Sequence, residues 1–257
     1  MQKYHIFLFT VLLILCSCKK SPERDLSLSV EEYKKLGMAD PTRTWKHEDY
    51  RQAYVVLSQL RSDRPGALPR KGSNKSGKYF DRLISMDNIS FLKDDAMPLM
   101  EKAMQIQSYI LIQSDLTGIY TNENSQDQFY NRELIELYLF GLSIMEQMLQ
   151  LSQKINESDE EEVIRMQTGL PTLRFTYLTQ VAFILEKQKN SSTYLTKDLE
   201  RLTDSLYNSV VKNRIWMEAS TRANLEKQML VVMDSVSSKH VRNKYENLIE
   251  ILSKDPS

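Results

Sequence analysis

Leu134, Leu137, Gly141, Ile144, Met148, Leu151 and Ile155 stand alternately three and four residues apart, which makes them one apolar seam of a long helix. A strand cannot carry that spacing, because its side chains alternate between faces with a period of two. Further seams follow at Leu195, Leu199, Leu202, Leu206 and Val210, at Leu225, Met229, Val232 and Val236, and at Val241, Tyr245, Leu248 and Leu252. Alternating strands with hairpin turns are absent, and only 7 Gly and 7 Pro among 257 residues oppose a turn-dense all-β or low-complexity chain. The expected fold class is therefore all-α. Long helices joined by short polar loops fold back as an antiparallel helical bundle, with an irregular helical-repeat arrangement as the alternative for the shorter final helices. Neither the 34-residue period nor the Trp, Gly, Tyr and Pro landmarks of a tetratricopeptide array occur.

The chain is long enough to bury a sizeable core, and 41% of its residues are hydrophobic. It balances 34 basic against 34 acidic side chains. Nucleic-acid binding is not expected, because neutralising phosphates requires a basic excess.

The amino terminus has a different character. Lys3 is the only formally charged side chain before position 19, and the stretch from Ile6 to Leu15 is apolar except for Thr10. Ten residues are too few to span a hydrocarbon core, which needs about 20 helical residues. A charged start, a short apolar run and small residues behind it are the parts of a secretory signal. The run ends in Leu15-Cys16-Ser17-Cys18, which resembles the lipobox of bacterial lipoproteins: a Cys preceded by a small residue, with Leu three places before it. The resemblance covers residues 1–18 only. It implies that residues 1–17 are a signal peptide, and that Cys18 is acylated through its sulfur and becomes the first mature residue. Cys16 would leave with the signal, so the mature chain would have no free thiol for a disulfide, a Cys metal site or a Cys nucleophile. It would carry 33 basic and 34 acidic groups once Lys3 is removed.

Residues 18–28 read as a lipidated tether, in which Lys19 and Lys20 would each add about 1 kcal/mol of attraction to an anionic surface. Residues 29–257 read as a helical domain. Ser29 with Glu32 has capping-box spacing and predicts a helix to about Leu36. A second helix is expected over 44–61. Residues 64–78 read as a flexible basic loop, rich in Gly and Pro. Turns or a short helix are expected over 79–93, then a helix over 95–120 with Pro98 in its first turn, and the seam helix over 127–155. Gly141 costs that helix about 1 kcal/mol relative to Ala, which predicts a close approach by a neighbour. Ser158 and Glu161 repeat the capping-box spacing, and another helix is expected over 172–187.

Candidate chemistry is sparse. Gly72-Ser73-Asn74-Lys75-Ser76-Gly77-Lys78 has the spacing of a phosphate-binding loop, but Tyr79 stands where Ser or Thr should hold magnesium, and no apolar strand precedes it. The string from Met229 to Asp234 fits a helical seam better than a nucleotide-site strand. The segment's cations, Arg64, Arg70, Lys71, Lys75 and Lys78, form a candidate site for an anionic partner. His47 begins a zincin-like stretch, but Arg51 replaces the second His; His240 is the other mature-chain imidazole, so no metal site is expected. No nucleophile elbow accompanies the plentiful Ser residues, and no catalytic residue or cofactor is assigned. Met97, Met100 and Met104, with Met145 and Met148, are soft copper ligands by type but suit core packing. The acidic run from Glu157 to Glu162 lacks the alternating ligands of a calcium loop. Tyr109, Tyr120, Tyr130, Tyr138 and Tyr177 are expected in the core or at its edges.

These readings converge on a lipid-anchored protein of the bacterial envelope, at the outer membrane where there are two, presenting a helical surface for protein binding or assembly. The alternative is a lipoprotein that binds or senses a small molecule. An enclosed apolar cavity with converging Tyr, Arg or Glu would favour the alternative, and a filled bundle with an exposed apolar groove would favour a protein partner.

Overall fold

The protein is described by a computed structural model covering residues 25–121, 129–156, 170–189 and 194–254. Cys18, the signal segment and the capping box at Ser158 and Glu161 lie outside the described residues. Within them the chain forms α1 (Val30–Lys35), α2 (His47–Asp63), α3 (Gly77–Leu83), α4 (Leu99–Tyr120), α5 (Asn131–Asn156), α6 (Leu170–Lys189), α7 (Thr196–Asn213), α8 (Ala219–Ser235) and α9 (Lys239–Leu252). Short 3₁₀ helices occupy Pro65–Ala67, Met86–Lys93 and Arg214–Trp216. No strand occurs among the described residues, and the architecture is an all-α helical bundle.

Local chemistry sets the helix starts. Ser29 accepts from the Glu32 amide while the Glu32 carboxylate accepts from the Ser29 amide at 2.8 Å, the reciprocal cap its spacing predicts. α2 begins at His47, later than the expected position 44, where the Lys46 amide donates to Asp49 at 2.9 Å. The expectation that Pro98 lies inside the first turn of the next helix is corrected. Pro98 is extended, with ψ of 146°, and caps α4 from outside. Asp94 turns the preceding residues back instead, accepting from the Ala96 amide at 2.9 Å.

The longest helix, α5, packs against α4, α6 and α7. It runs antiparallel to α4, since Gln113 reaches the Leu137 carbonyl and Tyr120 packs edge-on against Tyr130 at 5.2 Å. It runs parallel to α7, since Glu136 meets Arg201 and Glu146 meets Lys212. Enclosure by three neighbours explains why its buried residues extend beyond one seam to Ile135, Tyr138, Phe140, Leu142, Met145 and Leu149. The stretch Asn131–Ile155 is long and apolar enough to cross a membrane, but 72% of its most apolar window is buried within the body. α6 and α7 are cross-linked to α9 through buried polar groups: Gln188 donates to Thr203 at 3.0 Å and accepts from the Tyr245 hydroxyl. The core is continuous from Tyr33 to Leu252.

Gly141 faces α4. A methyl group there would lie 2.7 Å from the Gln113 amide nitrogen, which donates to the Leu137 carbonyl at 2.9 Å and to Thr117 at 3.0 Å. The seam therefore carries a notch for a buried amide. Replacing Gly141 with Ala should lower stability by about 1 kcal/mol, because an evicted buried amide costs about 1–3 kcal/mol and helix propensity returns at most about 1 kcal/mol. Urea unfolding should show the loss, and the double variant Gly141→Ala with Gln113→Ala should be more stable than Gln113→Ala alone.

Candidate functional site

The basic segment over 64–78, read from sequence as a flexible loop, is packed in part against the bundle, and its last two residues, Gly77 and Lys78, already belong to α3. Ala67 and Leu68 are buried in the core, and the Tyr33 hydroxyl donates to the Ala67 carbonyl at 2.5 Å. Gly72, with φ of +69°, turns the chain in a left-handed conformation that disfavours a side chain. The Ser73 hydroxyl then accepts from the amides of Lys75 and Ser76 at 3.0 and 3.1 Å. Amides that a phosphate-binding loop would offer to a ligand are thus turned on the loop's own serine.

The five candidate cations do not converge. Arg70 points inward: its guanidinium lies 4.3 Å from the centroid of Phe129 and 5.0 Å from that of Tyr130, and its Nε donates to Glu133 at 3.2 Å. The Lys71 amide donates to the same carboxylate oxygen at 2.8 Å, and the Lys71 ammonium pairs with Glu136. Arg201 reaches Glu136 from α7 at 2.5 Å. Lys75 bonds the Asp25 carbonyl at 3.3 Å, while Arg64 and Lys78 remain exposed. An anion at this segment would compete with carboxylates already holding Arg70 and Lys71. Glu133 is 1% exposed and Glu136 8%, and each carboxylate needs these cations to stay buried.

The other candidates separate in the same way. Met145 and Met148 are buried while Met104 is 55% exposed, so the methionines form no common cluster. All five candidate tyrosines are buried. His240 Nε2 donates to the Asp204 carboxylate at 2.8 Å on the surface between α7 and α9, and His47 lies elsewhere, against Tyr109. Among the described residues, no group of three or more His, Cys, Asp and Glu side chains is placed to hold a metal ion. Met229 and Val232 are buried on one face of α8.

A cleft of about 510 Å³, half open to solvent, lies between the start of α2, the 3₁₀ helix Met86–Lys93 and the first half of α4. Its floor is aromatic. Phe91 stacks on Tyr109 with ring centroids 5.8 Å apart, His47 meets the same ring edge-on at 5.7 Å, and Trp45 lies beside them. The floor is braced from behind, where the Trp45 indole donates to the Asp40 carbonyl at 3.0 Å and the Asn88 amide donates to the Arg82 carbonyl at 2.7 Å. Met97 and Met104 supply adaptable thioether walls, and Lys46, Glu48, Gln105 and Ser108 form a polar rim. Leu111, one heptad beyond Met104, is 62% exposed and extends the apolar surface along α4.

Desolvation pushes the Tyr109 phenol well above its usual range, with the nearby Glu48 and Asp49 charges adding to it, so it remains a hydroxyl at neutral pH. Among the described residues no hydrogen bond joins His47 to Ser90 or Ser108. An apolar floor with a polar rim suits the capture of an apolar or aromatic side chain more than proton transfer. Sequence reading missed this cleft because Trp45, Phe91 and Tyr109 come from three separate elements. No protein-family model, curated protein or solved structure matches the chain.

Replacing Arg70 with Ala should cost about 2–4 kcal/mol, since it leaves a buried carboxylate without its guanidinium and removes a cation packed over two adjacent rings. A double-mutant cycle with Glu133→Gln, read by chemical denaturation, should return coupling of at least about 1 kcal/mol.

The surface link between α7 and α9 generates a pH dependence. Partial desolvation raises the Asp204 carboxyl, but hydrogen bonds from His240 and Lys244, together with their charges, outweigh it and hold the group below the usual carboxylate range. Its stabilisation is therefore present above the unfolded-state value near 3.9 and is lost as pH falls through the lower folded value. Asp204→Asn should cost at most about 1 kcal/mol at pH 7, because both partners are about two-fifths exposed and screened by solvent. The difference from the parent protein in urea midpoint should shrink as pH falls below the unfolded-state carboxyl value.

Proposed function

We propose that this chain is a lipid-anchored protein of the bacterial envelope, carried on an acylated Cys18, whose helical body presents the Trp45–Tyr109 cleft and the adjoining face of α4 to a protein partner. The observation that carries the reading is a half-open, aromatic-floored cleft beside the exposed Met104 and Leu111 of α4. Aromatic and methionine side chains are the residue types that concentrate binding energy at protein interfaces. The lipobox in the sequence supports the anchor, and Lys19 in place of Asp agrees with outer-membrane sorting where that signal operates. A role as a small-molecule carrier has less support, since a cleft open along one side leaves much of a small ligand in water.

In-cell photocrosslinking tests the binding surface. A photoreactive residue at Met104 or Ser108 should trap the same identified protein, and one at Glu246 on α9 should not. Equal capture from all three positions, or recovery of a tightly held metabolite with the purified protein, would argue against the proposed surface. Cys18→Ala should lose metabolic labelling by a fatty acid and release the protein from membranes; retained labelling would remove the anchor.

A further inference from the structure

Residues 25–28, read from sequence as the end of the tether, are docked in a socket formed by the turn over 66–76. The Asp25 carboxylate accepts from the Ser27 amide at 2.9 Å, from the Ser27 hydroxyl at 2.5 Å and from the Ser73 hydroxyl at 2.5 Å. Ser76 closes the set, donating to Ser27 at 2.7 Å, with Ser76 fully buried and Ser27 4% exposed. Lys75 bonds the Asp25 carbonyl, and Leu26 lies so close to Gly66 that an added methyl there would meet it at 2.9 Å. Partial desolvation raises the Asp25 carboxyl, but the bonds from Ser27 and Ser73 and the charge of Lys75 outweigh it, so the group is an anion at neutral pH.

The position of the socket relative to the cleft follows from α4. The Tyr120 hydroxyl, at the end of α4, donates to the Pro69 carbonyl at 3.0 Å, so that end of the helix abuts the socket segment. Tyr109 and Met104 lie 11 and 16 residues earlier, about 16 and 24 Å along the axis at 1.5 Å per residue. The socket and the cleft therefore occupy different levels of the bundle.

We propose that the Asp25 socket pins the body end of the lipid tether, making the end of the bundle where α4 finishes and α5 starts membrane-proximal and holding the Trp45–Tyr109 cleft on the far side, away from the headgroups. The proposal rests on the lipid-anchor reading above. With Asp25 seated, it stands seven positions after Cys18, a reach of at most about 25 Å. With the socket released, the leash extends to the helix cap at Ser29, 11 residues from Cys18, and its reach rises to about 38 Å.

The test uses the full lipidated protein in vesicles of phosphatidylethanolamine and phosphatidylglycerol carrying a headgroup acceptor dye. A donor dye is placed at Asn74→Cys, beside the socket, or at Gln107→Cys, near the cleft. Energy transfer should be stronger from position 74 than from 107, and Asp25→Ala should reduce transfer from 74 and shrink the contrast. Asp25→Asn, which keeps a hydrogen-bond acceptor, should retain part of it. Hydrogen exchange on the same samples should rise about tenfold over 25–28 and 70–77 in Asp25→Ala. Equal transfer from both positions, well above background, overturns the proposed orientation, and exchange and transfer that ignore Asp25→Ala overturn the socket; both outcomes leave the anchor standing. Background transfer from both positions, with exchange still responding to Asp25→Ala, overturns the lipid anchor and the proposed orientation together, although the socket itself is present.

Discussion

Burial of α5 by three neighbouring helices is the constraint from which the rest of the bundle follows. A helix enclosed in this way cannot leave carboxylates in contact with water along its first turns, yet Glu133 and Glu136 stand there. Their charges are met from outside the helix, by Arg70 and Lys71 of the segment before α3 and by Arg201 of α7. That requirement draws the basic segment inward and ties the two ends of the sequence to one core. The pairs are costly to desolvate, and their value lies in register: Arg70 between two aromatic rings and Glu133 leaves little freedom for sliding α5 past the segment.

The helices were largely legible, because apolar spacing and caps are local. The seam of α5, the reciprocal cap of Ser29 with Glu32 and the amphipathic pattern of α7 and α9 need nothing beyond neighbours in sequence. What the sequence leaves open depends on distant partners. Arg70 looked like a solvated cation because its carboxylate stands 63 residues away. A signal is nevertheless present: two acids three apart, Glu133 and Glu136, flank Leu134 and Ile135 on a helix with an apolar seam, and the basic segment is available to meet their charge. Gly141 hinted at a close approach, while the identity of the group filling the notch, Gln113, had no local mark. Pro98 carries no local mark of its exact place, because a proline fits equally well just inside or just before a helix start.

The candidate site was the least legible part. Its rings come from the entry to α2, a 3₁₀ helix and α4, and each taken alone reads as ordinary core. What separates them from core is that, among the described residues, the cleft stays open on one side, and the path of the chain between α1 and α4 sets its other walls. Met97 and Met104 are soft ligands by type, but their role depends on orientation: with Met145 and Met148 buried in the bundle, Met97 and Met104 line the cleft instead.

The placement of the two tryptophans has a practical consequence. Trp45 is 1% exposed beneath the cleft, packed near Tyr50 and Tyr79, whereas Trp216 sits beyond the end of α7, beside Tyr177 and within reach of the Arg174 guanidinium. The molecule therefore carries two intrinsic fluorophores in unlike surroundings, and emission from single-tryptophan versions would report separately on occupancy near the first and on fraying near the second.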